Sequence, residues 1–574
     1  MKVLGVNAVF HDSSAALVVD GVVVAAAEEE RFSRRKHGKR PVPFSAWELP
    51  ELAMRWCLDH AGLAVDDLDA VAYGYDPSMA LSEEEGHERG LRDPWDHLRT
   101  TYASRAAGFL ATALPGLDKE KVVFVPHHVA HAASSGLPGP STTGSVLVLD
   151  GRGERGSHLS GRYVGGKLEV LATTELPHSL GLVYESLTDH LGFLRSSDEF
   201  KVMAMASYGT PRHLEALREH VHATGDGRFV ATEPDWSRFA PRRTPAEAAA
   251  TSAEALPPEH ADLAASVQAL TEEVLVDLAT WLHAQTGDTL LTMAGGTALN
   301  CVANTKIWQR TPFERVWVQP AAGDSGTALG AALQVAAEHG DRIRPMGTAA
   351  LGREWTDEQL ADWLRTAEVP FTTPGSREAL AEEVADVLAA DGVVAWFDGR
   401  SEFGPRALGH RSLIAHPGHA HNVERMNDVK GREQFRPIAP MVLAERATEV
   451  FENGPFPSPY MLFVHDVKDG WRERIPAVTH VDGTARIQTV SDGTGGTAGV
   501  DGGVDESANP GVHALISAFE RRTGLPVVVN TSLNTAGRPM VDDPRDALEL
   551  FGSAPVDVLV LGPHLVRRQS LFAS

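Results

Sequence analysis

The feature that most constrains this chain is a strand-turn-strand unit that occurs twice. The first, "KVLGVNAVFHDSSAALVVDGVVVAAAEEE", spans Lys2 to Glu30, and its Asp20-Gly21 pair between two β-branched runs is a strong hairpin signal. The second, "GSVLVLDGRGERGSHLSGRYVGGKLEVLATTEL", starts at Gly144 and repeats the order: apolar strand, polar Gly-rich turn, then a strand pair joined at Gly165-Gly166. Each unit is followed by helical sequence. Two such units predict a duplicated α/β domain with its cleft between the halves.

A chain of 574 residues exceeds what one hydrophobic core supports, so further domains are expected. Periodicity lapses around "AAEHGDRIRPMGTAALGRE", and "TDEQLADWL" restarts a helix with Thr356 and Gln359 in capping-box positions. That places a boundary near Glu354 and predicts domains 1–354 and 355–574. The second domain reads as α/β, with strands "GVVAWFDG", "MVLAE", "LPVVVN" and "VDVLVLG". A stretch too Gly-rich to pack, "SDGTGGTAGVDGGVDESANPG", interrupts it as a mobile loop.

Several functions are disfavoured by composition. A net charge of −25 argues against phosphate-backbone binding, so no nucleic-acid partner is expected, and it would steer cationic molecules inward. No window approaches the ~18 apolar residues of a membrane span, and Asn7, His11 and Asp12 break the N-terminal apolar run, unlike a signal peptide. A cytoplasmic protein without a membrane partner is expected. Cys57 and Cys301 are the only cysteines, too few for a disulfide framework or a thiolate metal cluster. Any metal must therefore use nitrogen and oxygen ligands.

Three stretches carry chemistry in the first domain. In "VPHHVAHAASSG", a helix starting after Pro126 stacks His127 and His131 on one face and turns His128 away. On spacing alone the pair suits a satisfied core as well as a shared ion. "TLLTMAGGTALNCVANTKI" runs from a strand through Gly295-Gly296 into a helix opening by Asn300, an order that suits phosphate cradling but also any tight turn. "VWVQPAAGDSGTALGAALQ" leaves Asp324 between a strand and a small-residue helix, at the mouth of the same cleft. In the second domain, Arg406, Arg411, Lys430, Arg432, Arg436 and Arg486 lie beside Gly, Pro and small polar residues, with Ser532 and Asn534 as neutral donors. Clustering of this kind favours an oxyanion site over surface ion pairs.

Lys430-x-Arg432 and Ser532-x-Asn534 resemble the signatures of YrdC-like domains, which make carbamoyl- or threonylcarbamoyl-adenylates from ATP. His127-x-x-x-His131, Gly295-Gly296 and Asp324-x-Gly326 resemble the metal-containing Kae1-like domain of the actin, hexokinase and Hsp70 superfamily. Both in this order, with "HDSSAALV", "EEERFSRRKHG", "EFKVMAMASYG" and "GPRALGHRSL", resemble the NodU/CmcH family of O-carbamoyltransferases over essentially the whole chain. Within that family the sequence is most similar to members acting on aminoglycosides such as tobramycin.

The resemblance implies a division of labour. In the second domain carbamoyl phosphate, held by Lys430, Arg432, Arg436 and Arg486, would lose phosphate, and the carbamate would be adenylated by ATP, with Mg accompanying the nucleotide. Arg406, Ser532 and Asn534 would complete the nucleotide site, and closure of the Gly-rich loop would exclude water. In the first domain the adenylate would lie against Asp150-Gly151, Gly295, Gly296 and Asn300. Its carbonyl would face a metal held by His127, His131, Asp150 and Asp324. Fe(II) is favoured, with Mn(II) or Zn(II) also suiting that donor set. Carbamoyl-adenylate hydrolyses readily, so an internal path between the sites is expected.

Transfer to a hydroxyl needs a base. Asp12 and His11, in the polar turn of the first unit, are the candidates, though Asp before Ser-Ser is also good turn chemistry. Glu29, Glu30 and Arg31 at the neighbouring strand end are candidates for facing the acceptor, where glutamates would welcome a cationic sugar. Three other readings compete: the related tRNA threonylcarbamoyl-adenosine machinery, a sugar kinase of the same superfamily, and an Hsp70-like binding module. The acidic charge counts against tRNA, and the last two leave the histidine pair and the second domain unexplained.

Overall fold

A computed structural model describes residues 1–38, 48–91, 94–249, 256–494, 504–535 and 537–568. The chain divides into two compact units, Met1–Met346 and Gly347–Ser574. The segment Gly347–Glu354, which periodicity leaves with the first domain, is bonded within the second unit. Gly352 donates its N–H to the Ser401 carbonyl, and the Arg353 guanidinium pairs with Asp542 at 2.8 Å.

In the first unit β1 (Lys2–Asn7), β2 (Ser14–Val19) and β3 (Val22–Glu28) form an antiparallel meander. β4 (Ala70–Tyr73) and β5 (Val122–Phe124) extend it in parallel, in the order β3-β2-β1-β4-β5. The second half repeats this plan. β6 (Gly144–Leu149), β7 (Gly156–Val164) and β8 (Lys167–Glu175) form the meander, and β9 (Val221–Ala223) and β10 (Phe229–Ala231) form a separate ribbon. β11 (Leu290–Ala294) and β12 (Arg315–Val318) then add in parallel, in the order β12-β11-β6-β7-β8. The same order and directions in both sheets are the duplication expected from the repeated unit. The two hairpin turns match as well: Asp20 and Gly21 both have positive φ, and so do Gly165 and Gly166, the geometry that follows strand twist.

The halves exchange helices. The helix His127–Gly136 follows the first sheet but packs on β6 and β11 of the second. The helix Ser325–Glu338 follows the second sheet but packs on β1 and β2 of the first. The two helices also pack on each other. Their N-termini therefore meet where the halves join. Register partners such as Leu4 and Leu17 are fully buried on the other face of the first sheet, in a core with Met54 and Cys57 of the helix Glu51–Ala61, each side chain contributing about 2 kcal/mol by leaving water.

The second unit is a mixed seven-stranded sheet. Its strands are β13 (Val394–Phe397), β14 (Arg411–Ala415) and β15 (Ala439–Leu443), then β19 (Gln488–Val490), β20 (Val527–Ser532), β21 (Val558–Leu561) and β22 (His564–Arg567). β16 (Phe451–Glu452), β17 (His465–Val467) and β18 (Thr484–Ala485) form a small sheet of their own. The large sheet runs β19-β15-β20-β14-β13-β21-β22 and holds all four strands read from the apolar runs. The capping box at Thr356 and Gln359 starts the helix Asp357–Thr366. Residues 495–503 of the Gly-rich stretch lie outside the described residues. No helix among the described residues is long and apolar enough to cross a membrane.

Candidate functional site

Where the exchanged helices begin, four buried side chains converge. His127 and His131 sit one turn apart on the first helix, Asp150 ends β6, and Asp324 caps the second helix with its backbone. Each offers a ligand atom, and all lie within 4.8 Å of one another. The Nε2 atom of His127 is 3.3 Å from Asp150 Oδ2 and 3.6 Å from Asp324 Oδ1, and that of His131 is 3.6 Å from Asp324 Oδ1. The Nδ1–H of His127 donates to the Gly74 carbonyl at 3.2 Å, which leaves Nε2 facing the two carboxylates.

The donor set fits a metal. Asp324 is 1% exposed, and neither of its carboxylate oxygens has a hydrogen-bond partner; nor has either ring nitrogen of His131. Buried atoms of this polarity are normally satisfied, so His131 Nε2 and Asp324 Oδ1, unpartnered and 3.6 Å apart, indicate a ligand site. The electrostatics agree. Burial opposes charge on the His127 ring, yet Asp150 and Asp324 raise its pKa well above the ordinary value. Burial likewise opposes ionisation of Asp324, but His11, His127 and His131 hold its carboxyl well below the usual range. Two nitrogens and two carboxylates without thiolate suit Fe(II), Mn(II) or Zn(II).

The chain builds this site with specific local devices. Gly295 has φ +90°, and a Cβ there would fall 2.1 Å from the Leu149 carbonyl oxygen, so only glycine fits. The next residue, Gly296, donates its N–H to Asp150 Oδ1 at 3.0 Å and orients that carboxylate. Pro126 gives the histidine helix no side-chain cap. Glu154, from the β6–β7 turn, supplies one by accepting from His127 N and Asp76 N, both at 2.8 Å.

The β1–β2 turn lies against this centre. His11 Nε2 is 3.6 Å from Asp324 Oδ2, and His11 Nδ1 is 2.9 Å from Asp12 Oδ2. Burial works against ionisation of Asp12, but His37 and His11 on either side hold its pKa well below the ordinary value. His37, 25 residues from Asp12 in sequence, completes the group with Nδ1 2.7 Å from Asp12 Oδ1. Neither His37 nor Glu154 stands in a spacing that marks it for this site. His37 lies within "EEERFSRRKHG", and its contact with Asp12 arises from chain geometry.

The strand-end candidates separate. Glu30 accepts from His37 N at 2.7 Å and belongs to the same group. Glu29 does not, because its buried carboxylate accepts from Leu52 N and Ala53 N and caps the helix Glu51–Ala61. Arg31 is buried between Glu28 and Glu30. Gly151 lies beside Asp150, with its carbonyl accepting from Ser179 Oγ at 2.7 Å. The Asn300 amide caps the helix Cys301–Arg310 and pairs with Gln268, so it is already committed.

In the second unit the two short motifs meet. Lys430 ends the helix Asn422–Lys430, and its ammonium donates to Ser532 Oγ at 2.9 Å and also to Asn534 Oδ1. Burial pushes the Arg432 pKa well down, and the charges of Arg436 and Arg486 push it further, so three guanidiniums gather in one place. Arg486 Nε is buried without a hydrogen-bond partner. Collected like charges of this kind make a site for an anion. Arg406 stands on a neighbouring loop held by Asn530, whose amide donates to the Ala407 carbonyl at 2.9 Å. Arg411 does not join this anion site. It is fully buried at the start of β14, its guanidinium donates to the carbonyls of Asp398, Gly399, His410 and Arg353 and stacks on Phe397, and it is a structural residue.

Comparison with known proteins follows the same division. Residues 2–333 match the family model described as carbamoyltransferase N-terminus, and residues 385–568 match carbamoyltransferase C-terminus. An uncharacterized protein of Synechocystis is 36% identical over 97% of this chain and 95% of its own length. Nodulation protein NolNO of Sinorhizobium fredii is 34% identical over 98% of this chain and 80% of its own. Nodulation protein U of Rhizobium tropici is 36% identical over 47% of this chain and 43% of its own. Among solved structures, HypF of T. kodakarensis is 16% identical with a TM-score of 0.32, covering 60% of this chain and 48% of that one. A ROK hexokinase of Thermus thermophilus, also 16% identical, has a TM-score of 0.30 and covers 58% of this chain and 98% of that one. Likeness at those scores carries no argument, and the duplicated strand order stands without it.

Proposed function

We infer, because the chain belongs to the carbamoyltransferase family and is a carbamoyl-transferring enzyme, that its two units divide the reaction into activation and transfer. In the second unit, carbamoyl phosphate is hydrolysed to carbamate and phosphate. A carbamate oxygen then bonds to the α-phosphorus of ATP, supplied with Mg, as pyrophosphate leaves. Lys430, Arg432, Arg436 and Arg486 stabilise the charge on the phosphoryl and carboxyl oxygens. The observation that carries this assignment is the meeting of Lys430 with Ser532 and Asn534 beside three gathered guanidiniums.

In the first unit, the carbamoyl group passes to an acceptor hydroxyl. An ion held by His127, His131, Asp150 and Asp324, Fe(II) before Mn(II) or Zn(II), supplies Lewis acidity toward the carbonyl when bound. The chain's own residues move the proton. Asp12 Oδ2 accepts from His11 Nδ1–H, and this fixes the tautomer that leaves the His11 Nε2 lone pair toward the centre. That nitrogen takes the hydroxyl proton, the hydroxyl oxygen bonds to the carbamoyl carbon, and AMP departs.

The acceptor we propose is a polycationic aminoglycoside such as tobramycin. Support comes from the net charge of −25 and from carboxylates gathered near the base. Glu185 accepts from Ser196 Oγ at 3.0 Å, Glu199 accepts from Ser196 N at 2.7 Å, and Glu30 holds His37 N. The test is mass spectrometry of protein incubated with ATP, carbamoyl phosphate and Fe(II), with and without tobramycin. A carbamoyl increment on tobramycin with AMP release supports both reaction and acceptor. Pyrophosphate without that product rejects the acceptor and keeps the activation step.

A further inference from the structure

Two residues near the base hold left-handed backbone that side chains normally avoid: Asp12 at φ +53° and His37 at φ +61°. Each supports the other. Asp12 N–H donates to the His37 carbonyl at 3.1 Å, and the His37 ring lies 2.7 Å from Asp12 Oδ1. The Glu30 carboxylate accepts from His37 N at 2.7 Å and fixes the same turn from its other side. Asp and His enter this region more readily than most residues, and here the contacts just named hold both of them in it.

The far side of the His37 ring is also engaged. Its Nε2 is 2.9 Å from Ser197 Oγ, in the segment before the helix Glu199–Ala206 of the opposite half. A continuous line of contacts therefore runs Ser197, His37, Asp12, His11 and then Asp324 of the metal centre. Asp12 has two carboxylate oxygens and two imidazole neighbours. If Oδ1 were released, the Asp12 side chain could turn about χ1 and χ2 and carry its carboxylate away from His11 Nδ1, and the His11 tautomer would no longer be fixed.

We propose that His37 is a positioning residue for transfer: by holding Asp12 Oδ1 it fixes Oδ2 on His11 Nδ1 and so keeps the His11 Nε2 lone pair toward the acceptor. This rests on the reading of Asp12 and His11 as the base pair. His37 touches no reacting atom. Its part resembles that of a third group that orients a base, where loss typically costs about 10- to 100-fold in activity.

The test compares full-length wild type with His37→Ala, His37→Asn and Asp12→Asn, each loaded with Zn(II). Asn places an amide N–H close to where the imidazole Nδ1 stands, and so restores the bond to Asp12 while losing the one to Ser197. Long-range ¹⁵N NMR of labelled histidines reads the His11 tautomer without any acceptor. The expected result is a single Nδ1–H tautomer in wild type and His37→Asn, and a mixture in His37→Ala with its metal content unchanged. With tobramycin as acceptor, His37→Ala is expected to lower kcat about 10- to 100-fold with KM unchanged and His37→Asn to recover most of it. An unaltered His11 tautomer in His37→Ala overturns the proposal, and so does a defect that Asn fails to rescue. Asp12→Asn separates the two levels: if it leaves transfer unchanged the base assignment itself falls, whereas loss in Asp12→Asn with none in His37→Ala removes only the role of His37.

Discussion

Gly330 of the helix Ser325–Glu338 meets Ala130 of the histidine helix so closely that a Cβ on Gly330 would fall 1.7 Å from the Ala130 carbonyl oxygen. The two helices carry His127 and His131 on one side and Asp324 on the other, so their spacing sets the distance between imidazoles and carboxylate. Gly330→Ala is expected to force the helices apart, at a cost of about 3 kcal/mol. Thermal unfolding should show the loss of stability, and metal analysis should show reduced occupancy of the His127–Asp324 centre.

Removing one ligand separates binding from activation. His131→Gln is expected to lower Fe(II) or Zn(II) affinity sharply while leaving pyrophosphate release from ATP and carbamoyl phosphate intact, because Lys430 and the arginines lie in the other unit. Treatment with a chelator should have the same effect, reversed by adding metal. Loss of pyrophosphate release together with metal would contradict the division.

Lys430→Ala makes the converse case. Lys430 stands two residues before Arg432 in the chain, its ammonium donates to Ser532 and Asn534, and its removal is expected to reduce carbamoyl-phosphate-dependent pyrophosphate release by about 10²- to 10³-fold. Metal content and the unfolding temperature of the first unit should be unchanged.

Glu29 predicts a pH dependence of stability. Burial raises its pKa from 4.5 to about 7, against the opposing hydrogen bonds from Ala53 and Leu52. The folded protein therefore holds a proton that the unfolded chain releases above 4.5. Stability from this group is present below that value and is lost as pH rises toward about 7, by an amount on the order of 3 kcal/mol. Glu29→Gln keeps an acceptor for the helix N-terminus and should flatten the unfolding midpoint between those pH values. An unchanged slope would show that Glu29 is not its source.

Much of this architecture is legible in the residues. Asp20-Gly21 and Gly165-Gly166 mark equivalent hairpins, and their recurrence gives the duplicated halves. The four-residue spacing of His127 and His131 gives a shared helix face, and Asp150 and Asp324 follow apolar runs that become strands. What escaped depends on contacts without a local pattern. His37 reaches Asp12 through two left-handed turns that no residue type announces. Glu29 and Glu30 are neighbours with the same chemistry, yet one caps a helix and the other joins the site. Arg411 shares its Gly-rich surroundings with Arg406, but only the fold shows its donors committed to four carbonyls. Small-residue spacing hints at close helix contact, but the crossing at Gly330 becomes specific only in three dimensions.

The most direct test of the account is a rapid-quench time course with ATP, carbamoyl phosphate, Fe(II) and tobramycin, following pyrophosphate, ADP, AMP and carbamoylated product together. The account predicts pyrophosphate release that requires carbamoyl phosphate, followed by AMP and carbamoylated product appearing in equal amounts. ADP formation, or pyrophosphate release without carbamoyl phosphate, would contradict it.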